Sequence, residues 1–178
     1  ARITPAQIVY TRTRSLHIPE VVLRERRIVA GFEGGRFVDA FKILRTQVTH
    51  RMREKGWNVI GVTSPGLGEG KTLTAVNLAI SLAMDVTQSV LLVDANLQDP
   101  KIHEVFDLGP SEGLANYLLD DTPLEDLLIH PGIGRFVLLP GGRHVRLRAR
   151  RPEPGHDELV GGDAVQQQAH AVVVADRD

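Results

Sequence analysis

Cysteine is absent from all 178 residues, which excludes disulfide scaffolds, thiolate metal centres and cysteine nucleophiles. Aromatic residues make up only 4%. Basic side chains are therefore not interleaved with the rings that stack on bases, and nucleic acid is not an expected partner. No apolar run approaches the ~20 residues that span a bilayer. No charged-then-apolar signal opens the chain, which begins Ala1-Arg2 and reads as a fragment of a cytoplasmic protein. What is present is ordinary: 42% hydrophobic and 24% charged residues, enough for one α/β domain with a core.

The formal charge of −1 hides a segregation of sign. Residues 1–55 hold 12 Lys/Arg against 5 Asp/Glu, residues 56–142 hold 3 against 11, and residues 143–178 hold 6 of each. A basic region beside an acidic one points to electrostatic docking within the chain or between copies, so self-association is expected.

Residues 1–30 show no clear period and read as an extended or loosely packed basic arm. A domain follows over 31–142. After Gly34-Gly35, Phe37, Phe41, Leu44, Val48 and Met52 recur at helical spacing, which predicts an amphipathic helix over 36–54. Asn58 to Thr63 reads as a short buried strand, 71–84 as a helix, and Ser89 to Asp94 as a second buried strand. Strand, helix and strand in that order make a βαβ unit with parallel strands. Short helices are expected at 114–119 and 124–129, and a third strand at 135–140. The remainder, 143–178, reads as irregular: five Arg crowd residues 143–151, and one strand-like run, Ala171 to Asp176, closes it.

Between the first predicted strand and the following helix lies Ser64-Pro65-Gly66-Leu67-Gly68-Glu69-Gly70-Lys71-Thr72. That context is what a phosphate-binding P-loop requires. Gly66, Gly68 and Gly70 let successive amides converge on phosphate oxygens, and the helix N-terminus adds its positive end. Lys71 is placed for the terminal phosphates and Thr72 for Mg²⁺, with Glu69 and Leu73 completing the loop. Pro65 stands where the strict pattern has glycine, so the loop is a variant. Asp94, at the carboxyl end of the second strand, reads as a magnesium-associated or proton-accepting acid, or else as the cap of the next turn. Asp99, before Pro100, reads as turn chemistry. Asp176, closing an apolar run, has the form of a second metal-associated acid. His103, His130, His144, His156 and His170 lack metal-ligand spacing.

These segments, with Asn77-Leu78-Ala79, Gly113-Leu114 and Leu138-Leu139-Pro140-Gly141-Gly142, resemble the bacterial tyrosine autokinases of capsule and exopolysaccharide synthesis, of the cytosolic CpsD/CapB type. The resemblance implies a P-loop ATPase fold, a parallel sheet related to the MinD/ParA group, incomplete at its C-terminus here. It implies phosphoryl transfer from Mg-ATP to tyrosines of neighbouring copies, with Lys71 and Asp94 catalytic and Thr72 and Asp94 on magnesium. It also implies a membrane chain-length determinant (polysaccharide co-polymerase) as partner, at the inner face of the plasma membrane. The family's oligomerisation motif corresponds to Asp39, Lys42 and Arg45. Three features depart from the family pattern. Asn96 stands where a second acid is usual, the C-terminal tyrosine cluster is missing (the chain has only Tyr10 and Tyr117), and the Asp-Leu-Pro-Pro strand is not recognisable after Gly142. One choice of ordinary codons for 155–165, read one base later, gives Ala-Met-Thr-Ser-Leu-Leu-Ala-Glu-Met-Gln, similar to the helix expected there. The expectation is thus a frameshift near residue 143 and a poorly packed tail. A MinD/ParA-like ATPase switch and an inactive nucleotide-binding partner are the alternative functions.

Overall fold

The computed structural model describes residues 13–145 and 171–177. The elements in chain order are β1 (Arg14–Ser15), α1 (Glu20–Glu25), α2 (Arg36–Lys55), β2 (Val59–Val62), α3 (Lys71–Ala83), β3 (Gln88–Asp94), α4 (Ile102–Val105), α5 (Leu114–Asp120), α6 (Leu124–Leu127), β4 (Ile129–His130), β5 (Phe136–Leu139) and β6 (Ala171–Arg177). The strands form one sheet in the order β1-β4-β5-β3-β6-β2.

Local chemistry sets the two long helices. Gly34 and Gly35 take positive φ just ahead of α2. At its other end Gly56 is left-handed, its amide bonding the Arg53 carbonyl while the Trp57 amide bonds that of Met52. This is a glycine C-cap of the Schellman kind. Helix α3 starts at the left-handed Gly70 and is apolar nearly throughout, so it is buried on all sides: every residue from Ala75 to Ala83 is buried. It lies against β3 and β6, and α2 lies on it.

The expected βαβ unit is present. Strands β2, β3 and β5 point the same way, and β3 pairs parallel with β5 from Val90↔Phe136 to Val93↔Leu139. A strand comes between β2 and β3, however: β6 enters antiparallel to both, with Asp94↔Ala171 and Ser89↔Asp176 on one side and Val62↔Ala171 on the other. Its inward residues Ala171, Val173 and Ala175 are buried. The expectation of a poorly packed 143–178 therefore fails for 171–175, because an apolar run that buries alternate residues fits the inside of a sheet in either direction. The arginine cluster from Arg146 onward lies outside the described residues.

Two further expectations need correction. The supposed loose arm is, from residue 13 on, part of the fold: β1 pairs with β4, and Leu23, Ile28 and Ala30 belong to the core. The first twelve residues lie outside the description. On α2, Phe41, Leu44, Val48 and Met52 do face the core, but Phe37 is 75% exposed and Val38, one position on, is buried in its place. Strand β2, expected to be buried, is an edge strand with alternate residues exposed. The rest of the core is anchored by Phe106 and Phe136, whose ring centres are 5.7 Å apart.

Candidate functional site

The loop between β2 and α3 is closed on itself. The Lys71 ammonium donates to the Gly66 carbonyl, which also accepts from the Ser64 hydroxyl at 3.1 Å. The Gly66 amide donates to the Glu69 carboxylate at 3.2 Å. Foremost the Ser64 hydroxyl, which also faces the Glu69 carboxyl, and then the Gly66 amide hold that carboxyl below its ordinary range. Gly68 and Gly70 have φ of +73° and +82°, and a methyl group added at either would meet nothing within 4 Å. Backbone conformation, not crowding, thus calls for glycine there, and the space before the amides stays open.

That space is a cavity of about 410 Å³ lined by residues 68–73 together with Arg26, Lys101, Glu104 and Val105. Its size lies within the ~300–1,000 Å³ of small-ligand sites. Three cations meet at it: Lys71 on the loop, Lys101 before α4 and Arg26 after α1. Glu69 and Glu104 line it too, so the excess is one positive charge, which with the glycine-loop amides and a helix N-terminus suits an anion such as a nucleotide polyphosphate. Arg26 and Lys101 escape a reading of the sequence, since they lie 45 residues before and 30 residues after Lys71 and only the fold brings them together.

Asp94 is 1% exposed and serves as a turn anchor. Its Oδ1 accepts from the Asn96 amide at 3.1 Å, and its Oδ2 accepts from the amides of Lys101 and Ile102, both at 2.9 Å. Burial pushes its carboxyl above the usual Asp range, against the opposing pull of these amides. The turn-capping alternative is therefore realised, and Asp94 is not among the residues lining the cavity. A carboxylate has about four acceptor positions, so three amides leave one, on Oδ1. Asp99 makes the expected turn, exchanging bonds with Asn96 and pairing with Lys101 at 2.7 Å. The pairing register puts Asp176 opposite Ser89, five residues along β3 from Asp94, and so at the far edge of the sheet. At ~3.3 Å per residue that is about 16 Å away. The antiparallel run of β6 is the physical reason, and Asp176 is not brought to the phosphate loop. Among the described residues no group of three His, Asp or Glu side chains is arranged to hold a metal ion.

The three residues read as an oligomerisation motif separate. Asp39 and Lys42 form a 3.8 Å pair on the exposed face of α2. Arg45 turns inward and donates to the Ser81 carbonyl near the end of α3 at 2.9 Å.

No family model matches the chain. Among curated proteins it is 31% identical to the tyrosine-protein kinase CpsD of Streptococcus agalactiae over 104 residues, 58% of this chain and 44% of that protein. It is also 31% identical to the tyrosine-protein kinase Etk of Escherichia coli K12 over 130 residues, 73% of this chain and 17% of that one. The chain is a relative of the bacterial tyrosine-protein kinases. It spans less than half the length of these curated kinases. Among solved structures, the BceF tyrosine kinase domain matches with a TM-score of 0.56 and 27% identity, covering 76% of this chain and 49% of that one. The kinase domain of Escherichia coli Etk shares the fold, with a TM-score of 0.57 at 24% identity, over 78% and 57% of the two chains. The α/β P-loop architecture expected from the sequence is thus the architecture of this kinase group. Among the described residues no helix is long and apolar enough to cross a membrane.

Proposed function

We propose that this chain is the nucleotide-binding part of a protein-tyrosine autokinase that transfers the terminal phosphoryl group of Mg-ATP to tyrosines of neighbouring copies. By its resemblance to the capsule and exopolysaccharide kinases, it would serve polysaccharide polymerisation or export beside a membrane chain-length determinant, at the inner face of the plasma membrane. The observation that carries the reading is the loop itself: left-handed Gly68 and Gly70, and Lys71 folded over Gly66, at the mouth of α3 and in front of a cavity with three cations and two carboxylates in its lining. Sequence similarity to named tyrosine kinases supports it.

The residues then have distinct tasks. Amides of residues 68–72 cradle the phosphates, and Lys71, released from the Gly66 carbonyl, spreads positive charge over the terminal ones. The Thr72 hydroxyl and the remaining acceptor position on Asp94 would hold Mg²⁺, which would neutralise phosphate charge there. In the transfer, a tyrosine oxygen bonds to the γ-phosphorus as its bond to the β–γ bridging oxygen breaks. ADP leaves, and the tyrosine proton passes to solvent, because the one acceptor position left on Asp94 would be taken by Mg²⁺. Gly66, Glu69 and Leu73 shape the loop, and Asp39 and Lys42 remain exposed for contact with another copy.

Incubation with Mg-ATP and a tyrosine-bearing kinase domain of a relative, followed by phosphotyrosine detection, tests this. Wild type gives signal and Lys71→Ala loses it. Signal unchanged by the substitution defeats the assignment of this loop, and ATP consumption without phosphotyrosine makes the protein an ATPase switch instead.

A further inference from the structure

The segment between α1 and α2 is joined to the phosphate-loop helix by one buried side chain. Asn77, 1% exposed, uses every hydrogen-bonding position of its amide. Its Oδ1 accepts from the amides of Val29 at 2.8 Å and Ala30 at 3.0 Å. Its Nδ2 donates to the Arg27 carbonyl at 3.1 Å and to the Leu73 carbonyl at 2.9 Å. Arg27 sits at φ +59°, in the left-handed region that non-glycine residues seldom occupy, and the Asn77 bond to its carbonyl helps hold it there. Leu73 lines the cavity, so the bridge ties one lining residue to the chain just after another, Arg26.

Of the two cations that other elements bring to the cavity, Arg26 has the longer ion pair. Lys101 meets Asp99 at 2.7 Å, whereas Arg26 meets Asp107 at the longer 3.5 Å; in both pairs both side chains are more than half exposed. Such an exposed pair contributes little and is readily exchanged for a polyphosphate, which a guanidinium grips through two oxygens. Arg24, two residues earlier, is occupied by Glu20 and the face of Phe32.

We propose that Arg26 is a polyphosphate-binding residue of the nucleotide site, with Asn77 as its positioning residue, so that the segment after α1 forms a working wall of that site. This rests on the proposed nucleotide binding and extends it to residues outside the glycine loop.

Calorimetric titration of the 178-residue chain with ATP, ADP and AMP in magnesium tests it, using Arg26→Gln, Arg26→Lys, Asn77→Asp and the Arg26→Gln/Asn77→Asp pair. Loss of one charge-assisted contact weakens ATP binding about tenfold in Arg26→Gln. AMP, which lacks the outer phosphates, changes by less than about twofold, and Arg26→Lys recovers part of the loss. Asn77→Asp weakens ATP binding in the parent but adds little on top of Arg26→Gln, which a purely structural role would not produce. Equal ATP affinity in parent and Arg26→Gln, or an equal loss for AMP, overturns the proposal. An undiminished Asn77 effect in the Arg26→Gln background overturns the positioning role. Should Asn77→Asp not fold, the exposed Arg26 variants decide alone. A parent chain that takes up none of the three nucleotides defeats the proposed function itself, a result distinct from these.

Discussion

Helices α2 and α3 pack on one another yet are built by opposite rules. Over 20 residues α2 buries only Val38 and Met52, while α3 buries nine consecutive residues in 13. The inner helix therefore draws its stability from tertiary burial, and the outer one adds surface ion pairs such as Asp39–Lys42 and Arg51–Glu54, which are weak individually. The few polar groups of α3 act as fixed addresses. Asn77 receives the segment at 27–30, and Ser81 receives α2, its hydroxyl donating to the Phe41 carbonyl at 3.3 Å and its carbonyl accepting from Arg45. A helix that carries the glycine loop at its first residue is thus pinned at Asn77 and Ser81 by both neighbours.

The sharpest test of the contrast removes the same bulk from each helix. Leu82 on α3 is fully buried, and Leu82→Ala should lower unfolding free energy by about 2–5 kcal/mol. Ile43 on α2 is 61% exposed, and Ile43→Ala should change it by less than about 0.5 kcal/mol. Urea unfolding followed by circular dichroism reads both, and comparable losses would break the distinction between an inner and an outer helix.

The same difference explains what could be read in advance. The stretch from β2 through the glycine loop to β3 was legible because strand pattern, turn glycines and helix periodicity all agreed there. Phe37 misleads because one more helical turn of apolar spacing reaches past the edge of what α2 covers, and Val38 takes the contact. The burial of Ile28 and Ala30 was hidden because the group that holds their segment, Asn77, lies about 50 residues away. The Val172–Val174 run says strand but not direction, so its antiparallel entry between β2 and β3, and with it the displacement of Asp176 from the site, depends on which neighbours are available. The motif singles out Lys71 and Thr72, which line the cavity, whereas Arg26 and Lys101 reach it only through tertiary packing.

A smaller effect is expected where the helices are joined. Arg45→Ala removes the charge-assisted bond to the Ser81 carbonyl, and unfolding free energy should fall by about 1–2 kcal/mol. Arg45→Lys should restore only part of it, because an ammonium on a different stem does not reproduce the guanidinium geometry. If Arg45→Ala leaves the urea midpoint unchanged, the inward turn of this side chain contributes nothing to stability.

The smallest effect lies just past the end of α3, where Asp85 accepts from the Thr87 amide at 3.0 Å and the Thr87 hydroxyl at 2.7 Å. The Thr87 amide, then its hydroxyl, hold the carboxyl below its ordinary value of 3.8, with Arg45 and Arg53 across on α2 adding to the effect. A carboxyl with a lowered folded-state pKa binds fewer protons folded than unfolded, so its contribution is present above pH 3.8 and is lost as pH falls through the folded value. Because the group is partly exposed, that contribution is less than about 1 kcal/mol. Urea midpoints of wild type and Asp85→Asn should therefore differ most at pH 5–6 and converge on acidification below about pH 4. A gap that widens with acid would mean that the carboxyl is destabilised where it sits, and that the two arginines of α2 do not reach across to the end of α3.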